Sequence, residues 1–138
     1  MKAVKIISLA VAAVAMVMVA GSPAHAGDAA KGKKTSKKCK ACHSFKQGDK
    51  KKKTGPNLFG VMGRKLGVAK FKYSKGYKAA AAAKPDFAWS AESVAEYVGN
   101  PNKYLSSLAG KKVRSKMTYK LKKAADRENI AAFLGTLK

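Results

Sequence analysis

The run Cys39-Lys40-Ala41-Cys42-His43 places two thiols three residues apart, with an imidazole directly after the second. This is the attachment pattern for a c-type haem. The chemistry needs the spacing, because the two thiols add across two vinyl groups on one porphyrin edge. The next residue can then ligate iron from one face. These are the only cysteines in the chain, and His25 is the only other histidine.

Three other uses of these residues require different surroundings. A thioredoxin-type redox pair would have a strand before it and a βαβ pattern around it, and neither is visible. A structural zinc site needs four ligands, whereas the segment after residue 26 has two cysteines, one histidine and scattered carboxylates. A disulfide between residues three apart would close only a small loop of little entropic value. We therefore favour haem attachment over a thiol–disulfide oxidoreductase.

The first 26 residues have the organisation of a secretory signal peptide. Two lysines lie among the first five residues, and Ile6 to Ala20 is an uncharged apolar stretch. This stretch is short for a membrane span of about 20 residues. Ala24-His25-Ala26 then supplies an A-x-A cleavage site. The sequence predicts export to the periplasm, cleavage of residues 1–26 and a single domain over residues 27–138.

Charge is the second strong feature of the sequence. The whole chain has 30 Lys and Arg against 7 Asp and Glu. The leader carries two of the basic residues and none of the acidic ones, so residues 27–138 have a net charge of +21. Export and the absence of a recognisable nucleic-acid module argue against a nucleic-acid partner. Basic charge of this size also favours docking on acidic protein surfaces.

The elements that must position the motif are predicted to be helices joined by loops, without a convincing strand. Gly and Lys dominate residues 45–70, which we expect to form a loop. We therefore expect a small all-α domain wrapped around one haem. The predicted helical segments are Asp28–Lys38, Ser74–Ala83, a helix capped by Ser90 and stopped by Asn100-Pro101, a short turn through Tyr104 and Leu105, and about 125–137.

A second axial ligand for the iron has two candidates. Met62 and Met117 are the methionines outside the leader, and a thioether raises the reduction potential of haem iron. Met62 lies soon after the first loop, and Met117 lies far along the chain in a loop that can fold back to the opposite haem face. Periodicity alone does not decide between them, and a methionine is more often a core residue than a ligand.

Several motifs along the whole of residues 27–138 resemble those of class I c-type cytochromes. The chain is most similar to the soluble bacterial cytochrome c2 type, which is related to mitochondrial cytochrome c. The matching runs, in family order, are Gly27-Asp28-Ala29-Ala30-Lys31-Gly32, Cys39 to His43, Thr54 to Gly60, Gly63-Arg64, Phe71 to Ser74, Trp89, Tyr97 to Leu105, and Ser115 to Leu121.

The resemblance implies roles for particular residues. Met117 would be the axial ligand opposite His43, and the Pro56 carbonyl would accept a hydrogen bond from the His43 ring. Three further side chains are expected beside the haem propionates: Arg64, Tyr73 and Trp89. Tyr97 is expected beside the methionine sulfur.

The resemblance also implies a function. We expect a soluble, monomeric periplasmic carrier that shuttles single electrons between membrane redox complexes, such as a cytochrome bc complex, a reaction centre or a terminal oxidase. An enzymatic role is not expected, because protein ligands would fill both faces of the iron. The alternative is a haem subunit or dedicated electron donor of a periplasmic dehydrogenase or peroxidase. The lysines expected around an exposed haem edge are Lys38, Lys40, Lys46, Lys53, Lys103, Lys112, Lys116 and Lys120.

One departure from the family pattern lies just before the haem motif. Family members usually have an apolar residue and then an aromatic residue there, whereas this chain has Thr35-Ser36. A serine forgoes roughly 1.5–3 kcal/mol of apolar burial compared with a large side chain. Gly32 should still allow Phe133 of the last helix to approach closely.

Overall fold

The computed structural model describes residues 26–138, so the predicted signal peptide lies outside the described residues except for Ala26. In the described part the only β-structure is a single bridge between Lys65 and Ala88, and no helix is long and apolar enough to cross a membrane. The prediction of an all-α fold is confirmed. The five helices are α1 (Ala29–Thr35), α2 (Lys75–Ala83), α3 (Ala91–Gly99), α4 (Pro101–Ala109) and α5 (Ala124–Gly135), and a 3₁₀ turn (Ser36–Lys38) extends α1.

Polar side chains cap the first turns of the helices at the positions that the sequence indicates. Asp28 Oδ1 accepts the N–H groups of Ala30 and Lys31 at the start of α1. Ser90 and Ser93 exchange backbone and side-chain hydrogen bonds in a capping box that starts α3. Each bond satisfies a backbone donor that has no partner within its helix.

The first and last helices pack closely against each other. A Cβ atom on Gly32 would lie 1.9 Å from the Asn129 carbonyl oxygen and 2.8 Å from Phe133 Cβ, so only glycine permits this approach. The expected Gly32–Phe133 contact is therefore present. The Asp28 backbone N–H also donates to Asn129 Oδ1 at 2.7 Å.

Ser36 lies at the position where the resemblance implies an aromatic side chain. It is fully buried, and its hydroxyl donates to the Lys33 carbonyl at 2.8 Å. Phe45 packs edge-to-face on Phe133, with ring centroids 5.7 Å apart. The Ser36 hydroxyl is thus satisfied within its own helical turn. The aromatic packing on α5 comes instead from Phe45, which follows the haem motif.

The predicted short turn around Tyr104 is wrong in length, because α4 is a full helix of nine residues. Asn100 Oδ1 accepts the Lys103 N–H and Pro101 occupies the first turn, which starts the helix. Gly110 ends it with a positive φ of 65°. Asn-Pro therefore ends α3 and also begins α4, and a fully buried Leu105 fixes α4 in the core.

The core surrounds Trp89, which is 7% exposed. Its backbone N–H donates to the Arg64 carbonyl, and its carbonyl accepts from the Gly63 N–H, so it holds the long loop against the helices. The buried members of this core are Val61, Leu66, Trp89, Val94, Ala131 and Leu134.

Candidate functional site

A cavity opens between the Cys39–His43 turn, helices α3 and α5, and the loop that carries Met117. Apolar side chains of both helices and of the long loop form its deep wall. They are Leu58, Val61, Val94, Val98, Ile130 and Leu134.

The haem motif forms a tight helical turn at one wall of the cavity. The N–H groups of Cys42 and His43 both donate to the Cys39 carbonyl, at 3.1 and 2.9 Å. All three side chains line the cavity. The thiols are free rather than bonded to each other, and burial raises the pKa of Cys39. The turn therefore presents two thiols and one imidazole to the same space.

The His43 ring has a defined tautomer. Its Nδ1 lies 2.7 Å from the Pro56 carbonyl oxygen, which can only accept, so Nδ1 carries the proton and Nε2 has a free lone pair. Burial is the main cause that lowers the pKa of the imidazole, and Lys53 adds to it, while the Pro56 bond opposes the change. A neutral ring with a bare Nε2 is the form that ligates a metal.

Gly55 makes this ring position possible. A Cβ atom on Gly55 would lie 2.4 Å from His43 Cε1 and 2.8 Å from Nε2. The Gly55 N–H also donates to the Cys42 carbonyl at 2.8 Å. The loop after the motif therefore packs its backbone flat on the imidazole, which fixes the ring orientation.

Met117 is half-buried and lines the cavity, whereas Met62 packs on the Trp89 core and is not part of the lining. The Met117 N–H donates to Ser115 Oγ at 3.0 Å. The hydroxyl of Tyr97 lies 3.1 Å from the same Ser115 oxygen. Ser115 therefore couples the Met117 loop to α3.

The remaining predicted site residues also line the cavity. Arg64 donates from its two terminal nitrogens to the carbonyls of Asn57 and Phe59, at 2.8 and 2.5 Å. Tyr73 stacks on Tyr77, with ring centroids 4.4 Å apart. Burial raises the pKa of Tyr73, so its hydroxyl remains protonated and able to donate.

Trp89 and Tyr97 meet edge-to-face, with ring centroids 5.1 Å apart. Burial raises the pKa of Tyr97, although the bond to Ser115 opposes that change. The structure thus brings to one cavity lining every site residue that the family resemblance implies, whereas Met62 lies outside it.

Among the lining residues that the sequence analysis did not assign to the site are Phe71, Tyr77 and Ser115. Tyr77 follows Tyr73 by four residues and lies one turn into α2, a spacing that could have identified it. Phe71 packs edge-to-face on Tyr73 at 5.1 Å. Ser115 carries no comparable sequence signal, because its partners come from α3 and α4.

The mouth of the cavity lies between the haem motif and the Met117 loop. Lining residues that are exposed come from these two regions and the loops beside them: Lys38, Cys42, Thr54, Lys65, Lys116, Thr118 and Tyr119. One edge of a group held there would therefore face solvent.

Two of the lysines near the mouth have structural partners. Lys53 Nζ donates to the Lys40 carbonyl at 2.7 Å. Lys116 Nζ donates to the Lys72 carbonyl at 2.7 Å and lies 5.6 Å from the centre of the Phe71 ring. Each of these ammonium groups links two separate stretches of the chain.

The donor set fits a c-type haem. Two thiols and a neutral imidazole lie on one wall, and a thioether lies on the lining of the same cavity. The apolar wall suits a porphyrin, and the hydroxyl and guanidinium donors suit its carboxylates.

Comparisons with known proteins agree with this geometry. The cytochrome c family model matches residues 29–138. Cytochrome c-550 of Novispirillum itersonii is 49% identical over 114 residues, which are 81% of this chain and 100% of that protein. Cytochrome c2 of Rhodobacter capsulatus is 44% identical over 138 residues, covering 95% of this chain and 97% of that protein.

The fold agrees as well. The crystal structure of cytochrome c2 from Paracoccus denitrificans superposes with a TM-score of 0.72 at 40% identity. That match covers 79% of this chain and 94% of the other. The chain therefore belongs to the cytochrome c family and is a haem electron carrier, not an enzyme, with one covalently bound haem c.

Proposed function

We propose that the protein is a periplasmic single-electron carrier whose haem iron is ligated by His43 and Met117. One observation supports this ligation. His43, whose Nε2 carries no proton, and Met117 both line the same cavity. Met62, the other candidate, packs on the core outside that lining. The haem supplies the one-electron chemistry, and a thioether ligand raises its potential.

The attachment and the polar surroundings follow from the same cavity. Cys39 and Cys42 form the two thioethers. Arg64, Tyr73 and Trp89 supply donors toward the propionates. Tyr97 and Pro56 act through neighbours, since Tyr97 contacts Ser115 beside Met117 and Pro56 orients His43.

Location in the periplasm rests on the first 26 residues. A positive start, a short apolar stretch and the Ala24-His25-Ala26 site are typical of a cleaved leader. Cleavage would leave residues 27–138 as the working domain. The match to the cytochrome c2 of Rhodobacter capsulatus covers 95% of the chain and so extends into this leader.

The partners that fit are acidic faces of membrane redox complexes: a cytochrome bc complex as donor, and a reaction centre or terminal oxidase as acceptor. Three lysines, Lys38, Lys65 and Lys116, lie on the cavity lining, and residues 27–138 hold 28 basic side chains against 7 acidic ones. Such a charge steers an acidic partner toward the exposed edge and raises the rate of encounter.

The test starts from the protein secreted by a cell that matures c-type cytochromes. We expect red protein in the periplasmic fraction, an N-terminal sequence beginning at Gly27, and a pyridine haemochrome spectrum of one doubly attached haem. In stopped flow, it should accept electrons from a bc complex at a rate that falls with added salt. A colourless protein with two titratable thiols would overturn haem attachment. Stable co-purification with a dehydrogenase or peroxidase would favour a subunit over a free carrier.

A further inference from the structure

The backbone of Val113, Arg114 and Ser115, which we call the 113–115 segment, is held by side chains of other elements. The Ser115 N–H donates to Asn102 Oδ1 at 2.7 Å. The Val113 N–H donates to Ser106 Oγ at 3.0 Å, and that hydroxyl lies 3.3 Å from the Val113 carbonyl.

The spacing of these bonds matches helix α4 to a chain segment. Asn102 and Ser106 are one helical turn apart, about 6 Å along the axis at 1.5 Å per residue. Val113 and Ser115 are two residues apart, about 6.6 Å in an extended chain. The two acceptor oxygens on helix α4 are therefore spaced to match the N–H groups of residues two apart in an extended chain.

Helix α2 closes the segment from another side. Ser74 Oγ donates to the Arg114 carbonyl at 3.2 Å. A Cβ atom on Gly76 would lie 2.4 Å from the same carbonyl oxygen, so Gly76 lets the segment lie directly on the start of α2. The segment is thus fixed between α2 and α4.

Only Lys116 separates this segment from Met117 in the sequence. Ser115 contributes its N–H to Asn102 and its hydroxyl oxygen to the Met117 N–H at 3.0 Å. A movement of the segment away from α4 would therefore carry Met117 with it.

We propose that Asn102 and Ser106 are positioning residues that hold Met117 on the iron and set the rate at which its sulfur leaves. The proposal rests on the proposed ligation by Met117. Neither residue lines the cavity. They act through the 113–115 segment, whose release lets the sulfur dissociate so that an added ligand can take its place.

The test measures the binding of imidazole to the ferric holoprotein. At saturating imidazole the observed rate is the rate at which the Met117 sulfur departs, and the exchange breaks one iron–sulfur bond and forms one iron–nitrogen bond without electron transfer. Asn102→Ala and Ser106→Ala should each raise this limiting rate about fivefold, the factor for one hydrogen bond of about 1 kcal/mol. The double variant should be faster than either single one.

Matched variants separate positioning from general stability. Asn102→Asp keeps an acceptor oxygen for the Ser115 N–H and should stay near the wild-type rate. Ser107→Ala, on the same helix, removes a hydroxyl that bonds only to the Tyr104 carbonyl within α4, and it should leave the rate unchanged. Amide hydrogen exchange should become faster at Val113, Ser115 and Met117 in the alanine variants.

The outcomes distinguish this proposal from the ligation itself. A near-infrared methionine–iron band that survives in Met117→Ala would overturn the ligation and the positioning role together. Where that band depends on Met117, equal imidazole rates in Asn102→Ala, Ser107→Ala and wild type would overturn the positioning role alone. A lower free energy of unfolding with an unchanged imidazole rate would also overturn it, because a merely structural tie gives that pattern.

Discussion

The two sides of the cavity are built in different ways. The Cys39–His43 side is local, since five consecutive residues form one turn and the His43 ring finds its acceptor thirteen residues later at Pro56. The Met117 side is assembled from distant parts, with bonds that reach Asn102 and, through Arg114, Ser74 forty residues away. In the proposed holoprotein covalent attachment would secure the first side, whereas several weak contacts secure the second. We expect the first to break almost completely on a single change and the second to loosen in steps.

The largest effect is expected at the attachment residues. Cys39→Ser or Cys42→Ser should sharply lower the yield of covalent holoprotein, because each thioether is one of two anchors. Haem content measured by pyridine haemochrome, together with circular dichroism, checks this. Without haem the chain should remain largely unfolded, so a well-folded, colourless wild-type protein would contradict the prediction.

Met117→Ala should remove the ligand while leaving the attachment intact. The weak near-infrared band of methionine–iron(III) bonding should disappear and the reduction potential should fall. The opened site should also gain peroxidase activity, since peroxide could reach the iron. Met62→Leu is the matched control and should change none of these. The opposite pattern would assign the ligand to Met62.

Gly55→Ala tests the local side with a single methyl group. The new Cβ would lie 2.4 Å from His43 Cε1, so the ring or the loop must shift. We expect the free energy of unfolding of the holoprotein to fall by about 1–3 kcal/mol, typical of overpacking. Gly135→Ala is the control, because its Cβ would meet nothing within 4 Å. Equal stability of the two variants, measured by denaturant titration, would rule out the tight contact.

A smaller effect is expected from exposed lysines that lie close in sequence to the haem motif and to Met117. Reversing Lys40, Lys46 and Lys120 to Glu should slow electron transfer to an acidic partner by about tenfold at low salt. Reversing Lys78 and Lys84 should have much less effect. Lys53 and Lys116 are left unchanged, because their ammonium groups tie loops together and their loss would disturb the site itself.

Stopped-flow rates across a range of ionic strength check this prediction. The difference between the two sets should shrink as the Debye length falls to about 8 Å at physiological salt. Rates without salt dependence, or equal losses from both sets, would reject steering by these lysines.

The smallest effect concerns the loop after His43. Asp49 Oδ2 accepts from the Ser44 hydroxyl at 2.5 Å and Oδ1 accepts the Lys51 N–H at 3.0 Å, and the Ser44 bond is the main cause that lowers the Asp49 pKa. A carboxyl with a lowered folded-state pKa stabilises the fold above its ordinary value of 3.8. That stabilisation is lost as the pH falls through the lowered pKa.

Asp49→Asn should therefore be slightly less stable than wild type above about pH 4, and the two should converge in stronger acid. Thermal unfolding as a function of pH measures the difference. Ser44→Ala should reproduce part of it, because it removes the same hydrogen bond. A gap between wild type and Asp49→Asn that widens as the pH falls would contradict the assignment.

Much of the local side could be predicted from the sequence. The Cys39–His43 spacing specifies its own chemistry. The caps at Asp28, Ser74 and Ser90 mark helix starts because their side chains accept N–H groups of the next turn. The length of α4 was missed, although Asn100 and Gly110 carry start and stop signals, since Asn-Pro was interpreted only as the end of α3.

The assembled side could be predicted only in part. Residue type alone does not decide whether Met62 or Met117 is the axial ligand. The choice depends on which of the two side chains the packing brings to the cavity. The hydrogen bonds from the 113–115 segment to Asn102 and Ser106 depend on α4 lying against that segment. No periodic pattern in the sequence indicates this contact. Lys116 was expected at a docking surface, but its bond to Lys72 depends on two loops meeting in space.

The pairing of α1 with α5 also sets an order of events. The bond from the Asp28 N–H to Asn129 joins residues 101 positions apart, so a chain that emerges N-terminus first cannot close it until its last helix has appeared. Gly32 leaves the space that Asn129 and Phe133 of that helix occupy. The Cys39–His43 turn therefore emerges long before the fold can close over it. Because the chain without haem is expected to stay largely unfolded, we expect attachment at these thiols to precede the packing of α5 on α1.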